Sequence, residues 1–350
     1  MEPTQAIQRA SHPTITVMLG GDVMLGRLVA HSMRRHGHDY PLAPPVAERF
    51  RAADLAIVNL ECALTSHHQE WPGAPKDFYF SAPKYAVKAL AAAGIDCVNL
   101  ANNHALDFDV VGLKDTIAQL EHSDIRHVGA GLDQASAEAP VAFQRGAIHI
   151  AITGFCDHQP DYAARNDSAG IAYLDLVDES FARWQFTESL ATLKERGVDW
   201  PILSLHWGPN LVERPSAHYR RLAHAAIDAG WRIIYGHSAH VFQGVELYKG
   251  GAIFYGTGNL VDDYFVDPDF RNDCALAFEL TLTKSRIARI DLHPLLITQC
   301  QARPAATGMH GEYEVIAGRI ALIRRTRHPR RTSGRQGVDR RWRAHASSAA

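Results

Sequence analysis

The sequence lacks the features that mark several large classes of protein. It has only five cysteines in 350 residues, and no two of them form a Cys-x-x-Cys pair. This odd, scattered set argues against a disulfide framework or a thiolate zinc site and favours a reducing compartment. The N-terminal residues show no secretory pattern, and no apolar run approaches the roughly 18 residues of a membrane span. We therefore expect a soluble, cytoplasmic protein.

Two common enzyme signatures are missing as well. The glycines after the first apolar run, Gly20, Gly21 and Gly26, do not form the GxGxxG pattern of dinucleotide-binding oxidoreductases. No GxSxG elbow of a serine hydrolase is present. The net charge of -2 does not indicate nucleic-acid binding by the chain as a whole. Histidine is the exception in this ordinary composition, because the chain contains 20 histidines. Most of these histidines must have no catalytic or metal-binding role, so the functional ones have to be identified by their positions in the sequence.

Seven apolar runs predict strands, and five of them end in a residue that can bind a metal. In chain order the runs are ITVMLGGD, LAIVNLE, CVNLANNH, AIHIAITGF, PILSLHWG, RIIYGHSAH and GAIFYGTG. Ligands of open α/β sheets collect beyond the carboxyl ends of the strands. We therefore predict one metal site at this edge of the sheet. Its candidate residues are Asp22, Glu61, Asn103, His104, His206, His237 and His240.

Helix and strand signals alternate through the middle of the chain. Residues 81–93 predict a helix with Ser81 as its N-cap, and Gly94 ends it. Helix, glycine and apolar strand recur twice more, which predicts a mostly parallel α/β sheet. Three stretches predict loops over the sheet ends, where specificity usually lies. They are residues 66–80, 157–170 and 262–273.

The end of the chain differs from the rest in composition. Arginines accumulate from Arg319 onwards with Asp339 as the only acid. We predict a folded domain over residues 14–300 and an extension over 301–350, disordered from about 319. The extension is either a solvated tail or a dock for an anionic partner such as nucleic acid, a phosphopolymer or an acidic membrane.

Single residues of the predicted site each have a structural alternative. Asp22 is either a ligand or the N-cap of the following helix, and Glu61 is either a ligand or the partner of Arg27. The amide oxygen of Asn103 beside imidazoles is a mixed set that suits Mn, Fe or Zn. Three histidines on two neighbouring strands favour the metal site over isolated core histidines.

Taken in order, the blocks GDVM, NLE, NNH, HWG, GHSAHVFQGVE and IFYGTGN resemble the motif set of the CapA family of bacterial capsule (poly-γ-glutamate) synthesis proteins. That family is similar to the calcineurin-like metallophosphoesterases, and the resemblance runs from about Thr14 to about Leu296. It implies a calcineurin-like α/β fold, a layered β-sandwich flanked by helices. It also implies one or two divalent ions held by Asp22, Glu61, Asn103, His206, His237 and His240. His104 would then be the general acid or transition-state stabiliser.

The chain departs from the phosphoesterase pattern at three positions. Met24 stands where a ligand histidine is expected, Glu61 replaces an aspartate, and the closing histidine pair is spaced Gly-His-x-x-His. One of the two metal positions therefore lacks an expected ligand. Either a single ion binds, or the missing ligand comes from a nearby side chain. The candidates for it are Asp262, Asp263 and His158.

The resemblance implies a metal-dependent hydrolase in capsule or poly-γ-glutamate metabolism, in which metal-activated water attacks a phosphoester or an amide. Two alternatives remain open: a catalytically weak protein that binds or assembles polymer, and a metallophosphodiesterase unrelated to capsule. The expected partner is an anionic polymer or a small phosphoester or amide. Arg27, Trp207, Arg214 and the loop at 66–80 are candidates for substrate contact. Family members are often membrane-anchored, whereas this sequence predicts no anchor.

Overall fold

Two β-sheets packed face to face form the centre of the molecule. The computed structural model describes residues 14–305. The strands are β1 Ile15–Val23, β2 Leu55–Leu60, β3 Ala63–Leu64, β4 Ser81–Ala82, β5 Cys97–Asn99, β6 Arg126–Val128, β7 Ala130–Gly131, β8 Val141–Arg145, β9 Ile148–Cys156, β10 Gly170–Ile171, β11 Trp200–His206, β12 Ile233–His237, β13 Val245–Tyr248, β14 Gly251–Phe254, β15 Asn259–Val261, β16 Cys274–Leu282, β17 Ile287–Thr298 and β18 Gln301–Pro304.

Helices connect the strands and cover the outer faces of the sheets. They are α1 Arg27–His36, α2 Pro44–Ala52, α3 Val87–Ala93, α4 Asp109–His122, α5 Gln134–Glu138, α6 Glu179–Glu195 and α7 Ala217–Ala229. Two single turns of 3₁₀ helix occur at Lys84–Ala86 and Pro160–Tyr162. Within residues 14–305, no helix combines the length and the apolar character needed to cross a membrane.

The first sheet has the strand order β18-β17-β16-β1-β2-β5-β6, with β15 also pairing with β1. The second has the order β13-β14-β12-β11-β9-β8. In the first sheet β15, β1, β2, β5 and β6 run parallel, and in the second β9, β11, β12 and β14 do. The prediction of one mostly parallel sheet was therefore incomplete, because the parallel strands divide between two mixed sheets. In each sheet their carboxyl ends still meet at one edge.

Three apolar clusters give the molecule its layers. One lies between the sheets, where residues such as Leu19 and Ile57 of the first sheet face Ile202 and Phe254 of the second. Another packs the outer face of the first sheet under α1 to α4, and the third packs the second sheet under α6 and α7. This arrangement confirms the predicted fold class, a layered β-sandwich flanked by helices.

The start of the helix predicted at residues 81–93 differs from the structure. Ser81 does not cap a helix: Ser81–Ala82 pairs with Ala63–Leu64 as a short strand, and α3 begins only at Val87. Pro83 explains the delay, because the residue before a proline is driven towards extended backbone. At its other end α3 stops at Gly94, which has the predicted left-handed conformation at φ +72°.

The folded unit continues beyond residue 300. Strand β18 pairs antiparallel with β17 between Leu295↔Pro304 and Thr298↔Gln301. The domain boundary predicted at residue 300 therefore falls just before a strand of the first sheet. The predicted Arg-rich extension from about residue 319 lies outside the described residues.

One tyrosine ties the two sheets together beneath the predicted site. Tyr235 of β12 is fully buried, and its hydroxyl donates to the backbone oxygens of Gly20 in β1 and Ile57 in β2. Its ring also meets the ring of His237 edge-on, with 4.1 Å between centroids. Sheet packing and the position of His237 therefore depend on the same side chain.

We predict that Tyr235→Phe lowers the free energy of unfolding by about 1–2 kcal/mol, because it removes a buried donor from two carbonyl oxygens. Urea denaturation measures the change. The matched control is Tyr248→Phe, whose hydroxyl makes one long contact of 3.5 Å to Asp228 at the surface and should change stability by less than about 0.5 kcal/mol. Equal effects of the two substitutions would contradict a specific role for the inter-sheet contact.

Candidate metal centre

Asp22 is held at the end of β1 by a network of buried side chains. Asn59 of β2 donates from Nδ2 to Asp22 Oδ1 at 2.8 Å, and His237 Nδ1 lies 3.3 Å from the same oxygen. Burial alone would raise the pKa of Asp22, but His237, His240 and Asn59 outweigh it and hold that pKa below its ordinary value. Asp22 is therefore a buried anion. The alternative that it caps α1 is wrong, because Gly26 is the N-cap residue there.

Glu61 lies directly after β2 and is completely buried. Neither of its carboxylate oxygens has a hydrogen-bond partner within residues 14–305. Burial, reinforced by the charge of Asp22, raises the pKa of Glu61 well above its ordinary value. The alternative of an ion pair with Arg27 is wrong, because Arg27 pairs with Asp263. Two adjacent carboxylates that are both ionised in this environment repel each other unless a cation lies between them.

His240 completes a group of three potential ligands. One ligand atom each from Asp22, Glu61 and His240 lie within 4.8 Å of one another. Asn259 of β15 orients the imidazole, since its Oδ1 lies 2.9 Å from His240 Nδ1. The same Nδ1 lies 3.5 Å from Asp22 Oδ2, so this ring nitrogen faces both Asn259 and the carboxylate of Asp22.

His206 and His237 lie beside this group and are both almost fully buried. His206 Nε2 is 3.8 Å from Glu61 Oε1. Burial, with neighbouring histidines adding to it, lowers the pKa of His206 well below its ordinary value, so the ring is the neutral form that binds metals. His237 differs, because Nε2 lies 3.2 Å from Ser204 Oγ and Nδ1 lies 3.2 Å from Thr257 Oγ1. Both nitrogens of His237 thus face hydroxyl groups, and Nδ1 also lies 3.3 Å from Asp22 Oδ1.

His104 contacts an acidic residue that was not among the residues predicted from the sequence. Its Nδ1 lies 2.6 Å from Asp107 Oδ2, and Phe80 stacks on its ring at 4.1 Å between centroids. Burial lowers the pKa of His104, while Asp107 opposes that effect. The signal was present as an acid three residues after His104, a spacing that brings two side chains together in one turn. The amide oxygen of the preceding residue, Asn103, has no hydrogen-bond partner in the described chain.

Asp107 is also the point where two of the three predicted loops, residues 66–80 and 157–170, meet. From the first loop, Lys76 Nζ and the backbone N–H of Phe80 both donate to its carboxylate. From the second loop, Tyr162 donates its hydroxyl at 3.0 Å. Lys76 additionally donates to the backbone oxygen of Asn103. A fully buried carboxylate thus fixes both loops against the Asn103–His104 segment.

Three residues were predicted to supply the ligand that Met24 cannot provide, and one of them has an oxygen without a partner among the described residues. Met24 is buried, and its Sδ accepts from the Gly26 N–H. Asp263 is committed to Arg27, and His158 Nε2 already faces Gly208 O at 2.9 Å and Ser238 Oγ at 3.1 Å. Asp262 is buried and, among the described residues, its Oδ2 has no hydrogen-bond partner. Burial raises the pKa of Asp262 to about 7.

The three candidates for substrate contact have different surroundings. Arg27 is 38% exposed and lies over Phe80, 4.9 Å from the ring centroid. Trp207 is only 4% exposed and donates from Nε1 to Tyr255 O at 2.8 Å, and it lines one small cavity together with Arg214. Arg214 is exposed and lines a small cavity beside the start of α7.

The potential ligand groups at this site fit a divalent cation. Three of the four carboxylate oxygens of Asp22 and Glu61, together with Asn103 Oδ1, are buried without a hydrogen-bond partner in residues 14–305. Unpaired buried acceptors of this kind are destabilising unless a cation or water satisfies them. Carboxylate, amide and imidazole groups together are the ligand chemistry of Mn, Fe and Zn. These residues could hold a metal at the carboxyl ends of β1 and β2.

Fold and site together define a layered α/β sandwich with a candidate metal centre at the strand ends. The model of the family described as bacterial capsule synthesis protein PGA_cap matches residues 16–264. The chain belongs to this family.

Individual relatives cover most of the chain. A PGA biosynthesis protein CapA of Bacillus subtilis is 30% identical, over 86% of this chain and 76% of that protein. A probable polyglutamine synthesis accessory protein of Mycobacterium tuberculosis is also 30% identical, over 83% of this chain and 87% of that protein. Among solved structures, a putative 5'-nucleotidase from Staphylococcus aureus aligns with a TM-score of 0.44 and 13% identity, over 87% of this chain and 58% of that one.

We predict that Lys76→Met lowers the free energy of unfolding by about 3 kcal/mol, because it leaves the buried charge of Asp107 without its cation. Chemical denaturation measures the loss. The matched control is Lys84→Met, which breaks the more exposed pair with Asp115 and should lower stability by less than about 1 kcal/mol. Adding Asp107→Asn to Lys76→Met should recover part of the loss. A loss no larger than that of the control would show that Asp107 does not depend on Lys76.

Proposed function

We propose that this chain is a metal-dependent hydrolase that acts on an anionic polymer of the bacterial capsule. The bond that it cleaves is a phosphoester or an amide. The capsule role is supported by membership of the PGA_cap family and by the names of the relatives. The chemistry is supported by the convergence of Asp22, Glu61 and His240, whose ligand atoms lie within 4.8 Å of one another. That convergence is the observation on which the proposal chiefly depends.

A divalent metal, when bound, would supply an activated water and would polarise the attacked group. Asp22, Glu61 and His240 would hold it, with Asn103 and His206 as further ligands. Asn59 and His237 keep Asp22 in place, and Asn259 keeps His240 in place, so the ligands are fixed before any ion arrives. Whether one or two ions bind depends on Asp262, whose Oδ2 has no hydrogen-bond partner among the described residues.

His104 is the residue that we assign to proton transfer. The Nδ1 contact with Asp107 fixes the ring and leaves Nε2 for the substrate. Asp107 stabilises the protonated ring that a general acid requires, against the opposing effect of burial. Lys76 holds the backbone of Asn103 and the carboxylate of Asp107 at once, so the ligand Asn103 and the acid His104 share one support.

A second candidate function is binding or assembly of the polymer with little catalysis. Met24 favours it, because the expected ligand histidine is replaced by a thioether whose sulfur is turned to the Gly26 N–H. His237 favours it too, since both ring nitrogens lie against hydroxyl groups. The two functions differ in turnover and agree on a metal.

We predict that protein purified without chelator carries one or two divalent ions per chain, and that Glu61→Gln and His240→Ala each weaken metal binding by at least about 10-fold through loss of a ligand. Elemental analysis and titration of metal into stripped protein measure this. The control is His31→Ala, an exposed histidine on α1, which should leave metal binding unchanged. Equal metal binding by all four proteins would contradict the site.

We predict that His104→Ala reduces kcat by about 100-fold or more while metal content stays at the wild-type level. Hydrolysis of phosphodiesters and of oligoglutamate by the metal-loaded protein would provide the assay. Loss of metal from this variant would instead show that His104 is a ligand. Turnover absent from the wild type, with metal present, would favour the binding function.

A further inference from the structure

The candidate metal centre contains unpaired hydrogen-bond donors as well as unpaired acceptors. The hydroxyl of Tyr264 is buried with no partner within the described part of the chain, and the same holds for Nδ2 of Asn259. Acceptors such as Glu61 can be satisfied by a cation, but a cation cannot accept the hydrogen bond that an O–H or N–H group donates. A cation alone would therefore leave these two donors unsatisfied.

Both donors flank His240, a member of the proposed ligand group. The ring of Tyr264 meets the ring of His240 edge-on, with 5.4 Å between centroids, and stacks on Phe80 at 5.5 Å. Burial, with the charges of Glu61, Asp262 and Asp22 adding to it, raises the pKa of the Tyr264 phenol well above its ordinary value. The Tyr264 ring, on the loop after β15, thus lies beside the metal centre, and its buried hydroxyl is available to a ligand there.

Asn259 reaches the same region from the strand side. Its backbone is paired in register with Asp22, and its Oδ1 faces His240 Nδ1 at 2.9 Å. Since Oδ1 is the end of the amide that faces His240, the Nδ2 end points elsewhere. The unpartnered Nδ2 is therefore the end that is free to take a ligand.

We propose that Tyr264 and Asn259 form an oxyanion-binding pair, which donates hydrogen bonds to a negatively charged oxygen of the substrate next to the metal ligands. The proposal rests on the proposed function, because the cation held by Asp22, Glu61 and His240 is needed to attract an anion into a site of carboxylates. A phosphoester oxygen and the oxygen of a tetrahedral amide adduct share the chemistry that this pair recognises. Donors placed where negative charge develops are an effective way to stabilise such groups.

Inorganic phosphate is the probe, titrated calorimetrically into the metal-loaded protein. We expect Tyr264→Phe to keep its metal and to bind phosphate about 10- to 100-fold more weakly, as loss of a hydrogen bond to a charged group would give. Asn259→Asp keeps an oxygen facing His240 and replaces the donor by an acceptor. It should retain or strengthen metal binding while weakening phosphate binding further.

The matched control is Tyr85→Phe. The hydroxyl of Tyr85 is likewise buried without a partner in residues 14–305, but it lies on the short helix Lys84–Ala86. This variant should bind both metal and phosphate like the wild type. If a substrate is cleaved, Tyr264→Phe should lower kcat/KM for it, and parallel assays on a phosphodiester and a γ-glutamyl anilide would tell which oxygen the pair serves.

Three outcomes would overturn the pair. Undiminished phosphate affinity in Tyr264→Phe and Asn259→Asp would show that neither group is a donor to the anion. Metal-loaded wild type that binds no phosphate would overturn the pair and leave the metal centre standing. Absence of metal from the wild type would overturn the proposed function together with the inference that rests on it.

Discussion

The burial of Asp22 and Glu61 side by side is the constraint on which the rest of the site depends. Both carboxylates lie at the ends of neighbouring strands, almost completely removed from water, and three of their four oxygens lack a hydrogen-bond partner within the described residues. Burying unpaired charge is among the most costly arrangements in a protein. The pKa values of the two carboxyl groups shift in opposite directions, which reduces this cost. The histidines and Asn59 keep Asp22 ionised, whereas burial drives Glu61 towards its protonated form.

The two-sheet architecture is what makes such a site possible. Parallel strands of the first sheet deliver Asp22 and Glu61, and parallel strands of the second deliver His206 and His237 to the same edge. Tyr235 connects the sheets immediately beneath them. The loops add a second support, because Lys76, Phe80 and Tyr162 all donate to Asp107, which in turn holds His104. Ligands and the proposed acid are thereby fixed by separate networks.

Much of the site could be predicted from the sequence because the signal is local. A buried parallel strand is an apolar run, and the polar residue that ends it marks the functional edge, so Asp22, Glu61, His206 and His237 were placed correctly at strand ends. The division of the parallel strands between two sheets carried no comparable signal, since it depends on pairing between distant segments. Asn59 was missed for a similar reason. It lies inside an apolar run, and its function appears only when β1 and β5 flank it.

Other differences arise from side-chain direction. Trp207 follows His206, and alternation along the chain turns its side chain into the layer under α7. Asp107 and Lys76 are 31 residues apart, and neither has a motif of its own. Tyr264 falls in a loop that was predicted to govern specificity. Its relation to His240 needed the coordinates, because it rests on ring geometry.

The most direct test of the metal centre is an anomalous difference map from crystals of the full chain grown with Mn²⁺, collected where manganese scatters anomalously. The account predicts a peak within ligand distance of Asp22, Glu61 and His240, at the carboxyl ends of β1 and β2. A map with no peak there, or with peaks only at surface histidines such as His31, would contradict it. The buried carboxylates would then have to be satisfied by protons and water alone.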